Sequence, residues 1–328
     1  MNILLTGGAG FLGKHLTRKL VEEGQSVRVV DLEPFEDDRF DPYDVEFVQG
    51  DVAIHAAAAL PIQPTKMIRR TDYQGACRTV EAAHNHDVDR FIYVSTTAVY
   101  GIPDKHPITE DFPKDPVGPY GQAKYEAEQE CLKYSDDMFV SIIRPKTFVG
   151  EERLGIMEVL FDWIRRGKNI YILGDGNNAY QLLDVKDLCD AIWTACTHPD
   201  ADDVFNVGAT EFNSIREDMQ PVLDEADNGA RLVSLPAKPI QSVLAVLEAL
   251  NLSPIVKWQY ATMDKECYVD VTRIRETLGW EPTKTTSETI LDNWKWYLKH
   301  YERLQNQTGV THRVPWDQKI LKWVRYFS

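Results

Sequence analysis

The chain has few cysteines and fewer basic than acidic side chains, and each shortage excludes a class of protein. Five isolated cysteines occur in 328 residues, without the paired spacing of a metal site. They favour free thiols in a reducing compartment and predict no bound metal. Lys and Arg total 36 against 51 Asp and Glu, a formal net charge of −15. Because such a surface repels polyanions, we expect no nucleic-acid partner.

Long hydrophobic runs are also missing. No apolar stretch reaches the length that spans a bilayer, and the first predicted strand begins next to Met1, which leaves no room for a signal peptide. Hydrophobic residues nevertheless make up 43% of the chain, enough for a large core in one large or two fused lobes. We therefore expect a cytoplasmic protein.

Glycines are concentrated at the start of the chain, where they follow a short apolar strand, Ile3–Leu5. The spacing of Gly7, Gly10 and Gly13 lets a backbone turn sharply, approach a pyrophosphate and pack a helix on its strand. The helix predicted from Phe11 would point its N-terminal amides at the phosphates. This motif predicts a dinucleotide site.

A second apolar strand, Val27–Val30, is followed by Asp31. A carboxylate about twenty residues beyond the glycine motif hydrogen-bonds the adenosine ribose hydroxyls and repels a 2′-phosphate. We therefore predict that the cofactor is NAD rather than NADP.

Strand and helix patterns alternate to about residue 145, which predicts an α/β fold, a Rossmann-type doubly wound parallel sheet. We assign residues 1–145 to an NAD-binding domain. Residues 146–328 form a smaller C-terminal substrate-capping region, of which segments such as 182–208 could pack back on the first domain.

One junction does not fit this pattern. Phe47–Asp51 and Val52–His55 both have the apolar character of buried strands, but parallel neighbours require a crossover of roughly a dozen residues. Either one segment is not a strand, or a crossover helix is absent from the sequence. We favour the second and predict a break between Asp51 and Ala53.

Two segments supply acid–base chemistry. Tyr120 and Lys124 lie four residues apart at the start of a predicted helix and therefore share a face. An ammonium group beside a phenol lowers the phenol's pKa from about 10 and makes it a usable base. Ser95–Tyr100 leaves a strand end and offers hydroxyl groups to a substrate oxygen. Together they suit alcohol oxidation.

Several segments together resemble the extended short-chain dehydrogenase/reductases, which include the NAD-dependent nucleotide-sugar epimerases and dehydratases. The resemblance is dense to about residue 150, weaker to Asp187 and thin beyond it. The matching segments are Thr6–Gly13, Asp31, Gly50–Val52, Ile54–Ala57, Ser95–Gly101, Pro119–Lys124 and Arg144–Pro145.

This resemblance implies a catalytic role for Thr96, the role of base for Tyr120, and a contact from Lys124 to the nicotinamide ribose. In the family a crossover helix follows the Gly-Asp pair, which agrees with the predicted break, and Asp51 and Val52 match adenine contacts. The implied NAD-binding residues are Gly7, Gly10, Phe11, Leu12, Gly13, Asp31, Asp51, Val52, Ala56, Ala57, Tyr120, Lys124 and Pro145.

Departures from the family pattern limit the reactions and substrates that the resemblance implies. Dehydratases usually carry Asp-Glu after the catalytic Thr, whereas this chain has Thr97-Ala98, so dehydration is not expected. Thr147 stands where many sugar-nucleotide members have Asn, and Tyr180 where they have an Arg that clamps the nucleotide. Thr97, Thr147 and Tyr180 are the candidate substrate contacts, and the last two put a uridine-diphosphate sugar in doubt.

The C-terminal residues 314–328 have apolar side chains at helical spacing, including Trp316 and Trp323, with basic residues off that stripe. The tail could anchor the protein peripherally at a membrane surface, or it could dock on its own lobe or a second subunit.

Three functions follow from these observations. The leading prediction is an NAD-dependent epimerase that acts on a nucleotide-sugar hydroxyl through a transient ketone. The second is an NAD-dependent dehydrogenase or reductase of a non-sugar or lipid-linked alcohol, and the third is a non-catalytic NAD-binding scaffold. We expect a small-molecule substrate and a homodimer.

Overall fold

The computed structural model describes residues 1–31, 51–152, 154–249 and 257–306. The chain divides into two compact units. Of the described residues, those within 1–146, 185–208 and 269–282 form the first unit, and those within 147–184, 209–268 and 283–328 form the second.

Ten strands and eleven helices are described. In chain order they are β1 Asn2–Thr6, α1 Phe11–Glu22, β2 Ser26–Val30, β3 Val52–His55, α2 Thr65–Ile68, α3 Ala76–Asn85, β4 Arg90–Val94, α4 Gly118–Leu132, β5 Phe139–Pro145, β6 Phe148–Val149, α5 Ile156–Arg165, β7 Ile170–Leu173, β8 Leu183–Asp184, α6 Val185–Thr197, β9 Val204–Val207, α7 Ile215–Ala226, β10 Leu232–Leu235, α8 Ala237–Ala249, α9 Lys257–Thr262, α10 Thr272–Leu278 and α11 Thr286–Asn306. A π-helical turn, Arg69–Gly75, joins α2 to α3, and a 3₁₀ turn, Thr97–Tyr100, follows β4.

The first unit is built on a six-stranded parallel sheet in the order β2-β1-β3-β4-β5-β9. Thr6 is in register with both Val30 and His55, and His55 with Tyr93. The carboxyl ends of four adjacent strands therefore lie along one edge, where parallel α/β sheets bind their ligands.

Helices cover both faces of this sheet. Phe91, Tyr93 and Val140 pack with Val80 of α3 and Ala127 of α4 on one face. Helices α1 and α6 pack together on the other face. Side chains buried on both faces explain the near-continuous apolar sequence of β3 and β4. The predicted Rossmann-type α/β class is confirmed.

The second unit has its own core. Buried Phe161 of α5 packs edge-on against Trp294 of α11, which stacks on Tyr297. Two short parallel pairs, β6 with β8 and β7 with β10, flank this helical core. Burial of these large aromatic rings stabilises the second unit.

Residues 185–208 lie in the segment that could pack back on the first domain, and they are grouped with the first unit, where β9 forms an edge of the sheet. Residues 269–282, which were assigned to the capping region, are grouped with the first unit as well. The predicted strand at Phe47 and the amphipathic tail 314–328 lie outside the described residues. The predicted break stays a prediction because its upstream flank lies outside them as well.

Candidate active site

The glycine motif forms a tight turn between β1 and α1. Gly7 has φ +75°, and a Cβ there would lie 2.6 Å from the backbone of Ala57. A Cβ on Gly13 would lie 2.1 Å from the Gly7 carbonyl oxygen. Only glycines at these positions allow the start of the helix to approach the turn so closely. Gly10, the N-cap of α1, offers no side chain to cap the first amides of the helix. The amides of the first helical turn, which include those of Phe11 and Leu12, are those that would face a pyrophosphate.

Asp31 lies directly after β2 and is exposed, and its Oδ2 accepts a hydrogen bond from the Ala9 amide at 2.9 Å. The carboxylate is therefore held against the glycine turn. This is the place that a group selecting between a ribose hydroxyl and a 2′-phosphate would occupy.

Ala56 and Ala57 continue β3 to the same edge, where the Ala56 amide donates to the Thr6 carbonyl at 3.2 Å. Asp51 and Val52 lie elsewhere. Val52 begins β3 in register with Ile3, and the Asn2 amide donates to Asp51 Oδ2 at 2.8 Å. The structure therefore places these two predicted adenine contacts at the amino end of the sheet, away from the glycine turn. The reason is that the chain continues from Asp51 directly into a strand beside β1.

The hydroxyl-rich segment begins where β4 ends. Thr96 is half-buried and precedes the 3₁₀ turn that begins at Thr97, and its Oγ1 accepts a hydrogen bond from the Ala98 amide at 3.2 Å. Ser95 is buried and donates to Glu128 on α4. Thr96 thus lies at the ligand-binding edge, with its side chain fixed by the turn that follows.

Helix α4 places Tyr120 and Lys124 one turn apart. Its close approach to the 3₁₀ turn depends on Gly121, where a Cβ would lie 2.8 Å from the Ala98 carbonyl oxygen. Tyr120 is half-buried, whereas Lys124 is 1% exposed. The predicted trio Thr96, Tyr120 and Lys124 therefore comes from two adjoining elements of the same unit.

The Lys124 ammonium is held by two oxygens. Nζ donates to the Val94 carbonyl oxygen at 3.0 Å and lies 3.6 Å from Asp72 Oδ1. Burial lowers the pKa of Lys124, and the Asp72 carboxylate opposes this. Asp72 is missing from the set predicted from the sequence, because its contact with Lys124 joins residues far apart in the chain.

A buried ion pair connects two elements that carry site residues. Arg144 binds Glu128 through two hydrogen bonds of 2.9 and 2.7 Å, and both residues are buried. Arg144 also donates to the Tyr100 hydroxyl at 2.8 Å. This network ties α4 to the end of β5, where the predicted cofactor contact Pro145 is buried.

Two predicted substrate contacts meet in the second unit. The Thr147 Oγ1 lies 3.1 Å from the Tyr180 hydroxyl, and both residues are half-buried. These are two of the positions at which the sequence departs from the family pattern. The two departures therefore form a single hydroxyl pair.

A family model described as the NAD dependent epimerase/dehydratase family matches residues 3–208. The chain belongs to this family. The family match covers the whole glycine motif, the Thr96 segment, α4 and β9, so the expected membership of the extended short-chain dehydrogenase/reductases is confirmed.

Named relatives span nearly the whole chain. "Uncharacterized protein y4nG" of Sinorhizobium fredii is 31% identical over 98% of this chain and 85% of its own length. The UDP-glucose 4-epimerase of Lactobacillus helveticus is 27% identical over 92% and 98%. The UDP-glucose 4-epimerase of Thermotoga maritima, crystallised with UDP-glucose, superposes with a TM-score of 0.75 at 23% identity over 92% of this chain and all of that one.

Family membership makes the protein an NAD-dependent enzyme of the epimerase type, and the glycine turn fits that cofactor. In the part of the chain that the structure describes, no cluster of side chains could hold a metal ion. Within the same ranges, no helix is long and apolar enough to cross a membrane.

Proposed function

We propose that the protein inverts a hydroxyl-bearing carbon of a nucleotide sugar through a transient ketone. The observation that carries this proposal is the position of Tyr120 and Lys124 on α4, packed through Gly121 against the turn that follows Thr96. This arrangement lies at the edge of the sheet that carries the glycine turn.

The chain's own residues handle the proton. Tyr120, as phenolate, takes the proton of the substrate hydroxyl, while Thr96 donates a hydrogen bond to the same oxygen. Lys124 stabilises the phenolate electrostatically. When held by the glycine turn and Asp31, NAD would supply a hydride acceptor for the carbon and would return that hydride to the opposite face of the ketone. Tyr120 gives the proton back to the same oxygen, and the centre is then inverted.

The glycine turn would hold the pyrophosphate, and Asp31 the adenosine ribose. We propose that Thr147 and Tyr180 contact the substrate. A nucleotide sugar is supported by the relatives, among them a putative UDP-arabinose 4-epimerase of Arabidopsis thaliana, 28% identical over 91% of this chain and 77% of its own length.

The Thr147–Tyr180 pair favours a second candidate function. Two neutral hydroxyls 3.1 Å apart bind a diphosphate less strongly than a guanidinium group does. The alternative is therefore a dehydrogenase or reductase of an alcohol or ketone without a diphosphate.

The deciding experiment incubates the protein with NAD and, in separate reactions, UDP-glucose, UDP-glucuronic acid, UDP-arabinose or a non-sugar alcohol, and follows the sugar by NMR and the reduced cofactor by absorbance. An epimerase interconverts one pair of sugars without net NADH. Net NADH from a non-sugar alcohol, with no sugar inverted, would favour the alternative.

Tyr120→Phe should lower turnover by two or more orders of magnitude and leave NAD binding nearly unchanged, because it removes the proton acceptor and spares the phosphate site. Tyr125→Phe, on the same helix, is the matched control and should retain activity. Activity of Tyr120→Phe within tenfold of the parent would contradict the assigned base.

A further inference from the structure

A buried carboxylate faces the catalytic lysine, and none of the chemistry above uses it. Asp72 is 0% exposed and Lys124 is 1% exposed. Asp72 lies in the π-helical turn Arg69–Gly75, between α2 and α3. Such turns are rare and occur frequently at functional sites.

The two oxygens of Asp72 have different surroundings. Oδ2 accepts a hydrogen bond from the Ala59 amide at 3.1 Å. Oδ1 lies 3.6 Å from Lys124 Nζ and has no hydrogen bond within the described residues. One oxygen thus fixes the carboxylate to the loop after β3, and the other is directed at the ammonium.

Burial acts on both partners in the same sense, toward loss of charge. It lowers the pKa of Lys124 and raises the pKa of Asp72, while their mutual attraction opposes both shifts. A buried ammonium group keeps its proton near neutral pH only where a counter-charge compensates for the lost hydration. The charge on Lys124 therefore depends on Asp72.

We propose that Asp72 is a positioning residue whose carboxylate keeps Lys124 protonated and in place one turn from Tyr120, and so sets the pH range in which Tyr120 acts as a base. The part of this proposal that concerns catalysis rests on the proposed function. The electrostatic link between Asp72, Lys124 and Tyr120 does not.

Other ionisable groups face the pair from each packed element. They are His55 of β3, Tyr93 of β4, and Glu128, Cys131 and Tyr120 of α4. Burial and the Lys124 charge lower the pKa of His55 to about 3, so His55 is neutral at working pH. Glu128 is already paired with Arg144. Of the two carboxylates, Asp72 and Glu128, Asp72 is the one whose Oδ1 accepts no hydrogen bond within the described residues and lies closest to the lysine.

The direction in which the pKa of Tyr120 shifts when Asp72 is removed distinguishes this role from that of a nearby negative charge. If Asp72 acts through Lys124, its loss lowers the pKa of Lys124 further, and the phenolate of Tyr120 loses its stabilising charge when the lysine is deprotonated. The pKa of Tyr120 then rises. If Asp72 acted only as a nearby negative charge, its loss would instead lower the pKa of Tyr120.

The test is the ultraviolet titration of tyrosine in the cofactor-free protein, with the Tyr120 signal taken as the difference between each variant and the same variant carrying Tyr120→Phe. Asp72→Asn should raise the pKa of Tyr120 by one unit or more. Glu130→Gln is the matched control, since it removes a half-exposed carboxylate of α4 that pairs with Lys133 at the end of the same helix, and should leave the titration unchanged. An unchanged or lowered pKa in Asp72→Asn would overturn the proposal.

A double variant covers the case in which Asp72→Asn does not fold. Removing both members of a buried pair is tolerated better than removing one, so Lys124→Met with Asp72→Asn should fold. In the Lys124→Met background, Asp72→Asn should raise the pKa of Tyr120 no further. A further rise would show that Asp72 acts by another route.

Turnover provides the second readout. The rising limb of the profile of kcat against pH should move to higher pH in Asp72→Asn by the same interval as the tyrosine titration, with KM little changed, and Asp72→Glu should restore part of the shift. A tyrosine shift without epimerisation by the parent protein would retain the electrostatic link and reject the proposed reaction. A kcat profile that stays in place while the tyrosine titration moves would reject the catalytic role of Asp72.

Discussion

Replacement of Gly13 by alanine tests the packing of α1 on the glycine turn. The added Cβ would lie 2.1 Å from the Gly7 carbonyl oxygen and 2.4 Å from Gly8 Cα, where real Cβ atoms stay beyond 3.0 Å. Both neighbours are backbone atoms, so the start of α1 must move by about 1 Å. Overpacking of this kind costs about 1–3 kcal/mol, against a gain of about 0.5–1 kcal/mol from replacing a helical glycine. A net loss of about 1–2 kcal/mol is expected.

The same displacement moves the helix amides that face the pyrophosphate. We expect the Kd for NAD to rise at least tenfold, equivalent to about 1.4 kcal/mol. Urea unfolding without cofactor and calorimetric titration with NAD measure the two effects. Gly75→Ala is the matched control, because its nearest contact is an ordinary 3.6 Å, and should gain about 0.4–1 kcal/mol. A Gly13→Ala protein as stable as this control, with unchanged NAD affinity, would refute the reasoning.

Three further predictions concern single side chains. Asp31→Ala should relax the preference for NAD over NADP, because the repulsion of a 2′-phosphate is lost, and an unchanged ratio of the two dissociation constants would assign selection to another group. Glu128→Gln should lower the free energy of unfolding by about 3–5 kcal/mol because it leaves Arg144 buried without its counter-charge, whereas the half-exposed Glu126→Gln should cost under about 1 kcal/mol. Burial lowers the pKa of His55 from 6.5 to about 3, so the unfolded chain binds a proton that the folded one does not, and stability is lost as pH falls from 6.5 toward 3. His55→Gln should make that loss shallower by up to about 1.4 kcal/mol per pH unit, and parallel curves for the two proteins would contradict it.

The sequence was informative where a function depends on residues close together in the chain. The glycine spacing predicts the turn at Gly7, and the spacing of Tyr120 and Lys124 predicts their common helical face. Each prediction needs only the geometry of one strand–helix unit.

Contacts between distant segments could not be predicted in this way. Asp72 precedes Lys124 by 52 positions, and only the π-helical turn and the packing of α4 bring them together. At Asp51 the local motif matches the family, but the position of the residue in the sheet depends on the strand that follows it. The pairing of β3 with β1 decides that place.

The first unit contains segments that are far apart in the chain, and this affects how it folds during synthesis. Its sheet contains β9, and its residues extend to 269–282, so a chain released or stalled after residue 145 lacks an edge strand and α10. Arg273 of α10 bonds Asp111 at 2.8 Å, and the Asn206 amide of β9 bonds Glu110 at 2.8 Å. The unit therefore completes its folding only after most of the chain has left the ribosome, and an N-terminal fragment ending near residue 145 should expose the unpaired edge of β5 to aggregation.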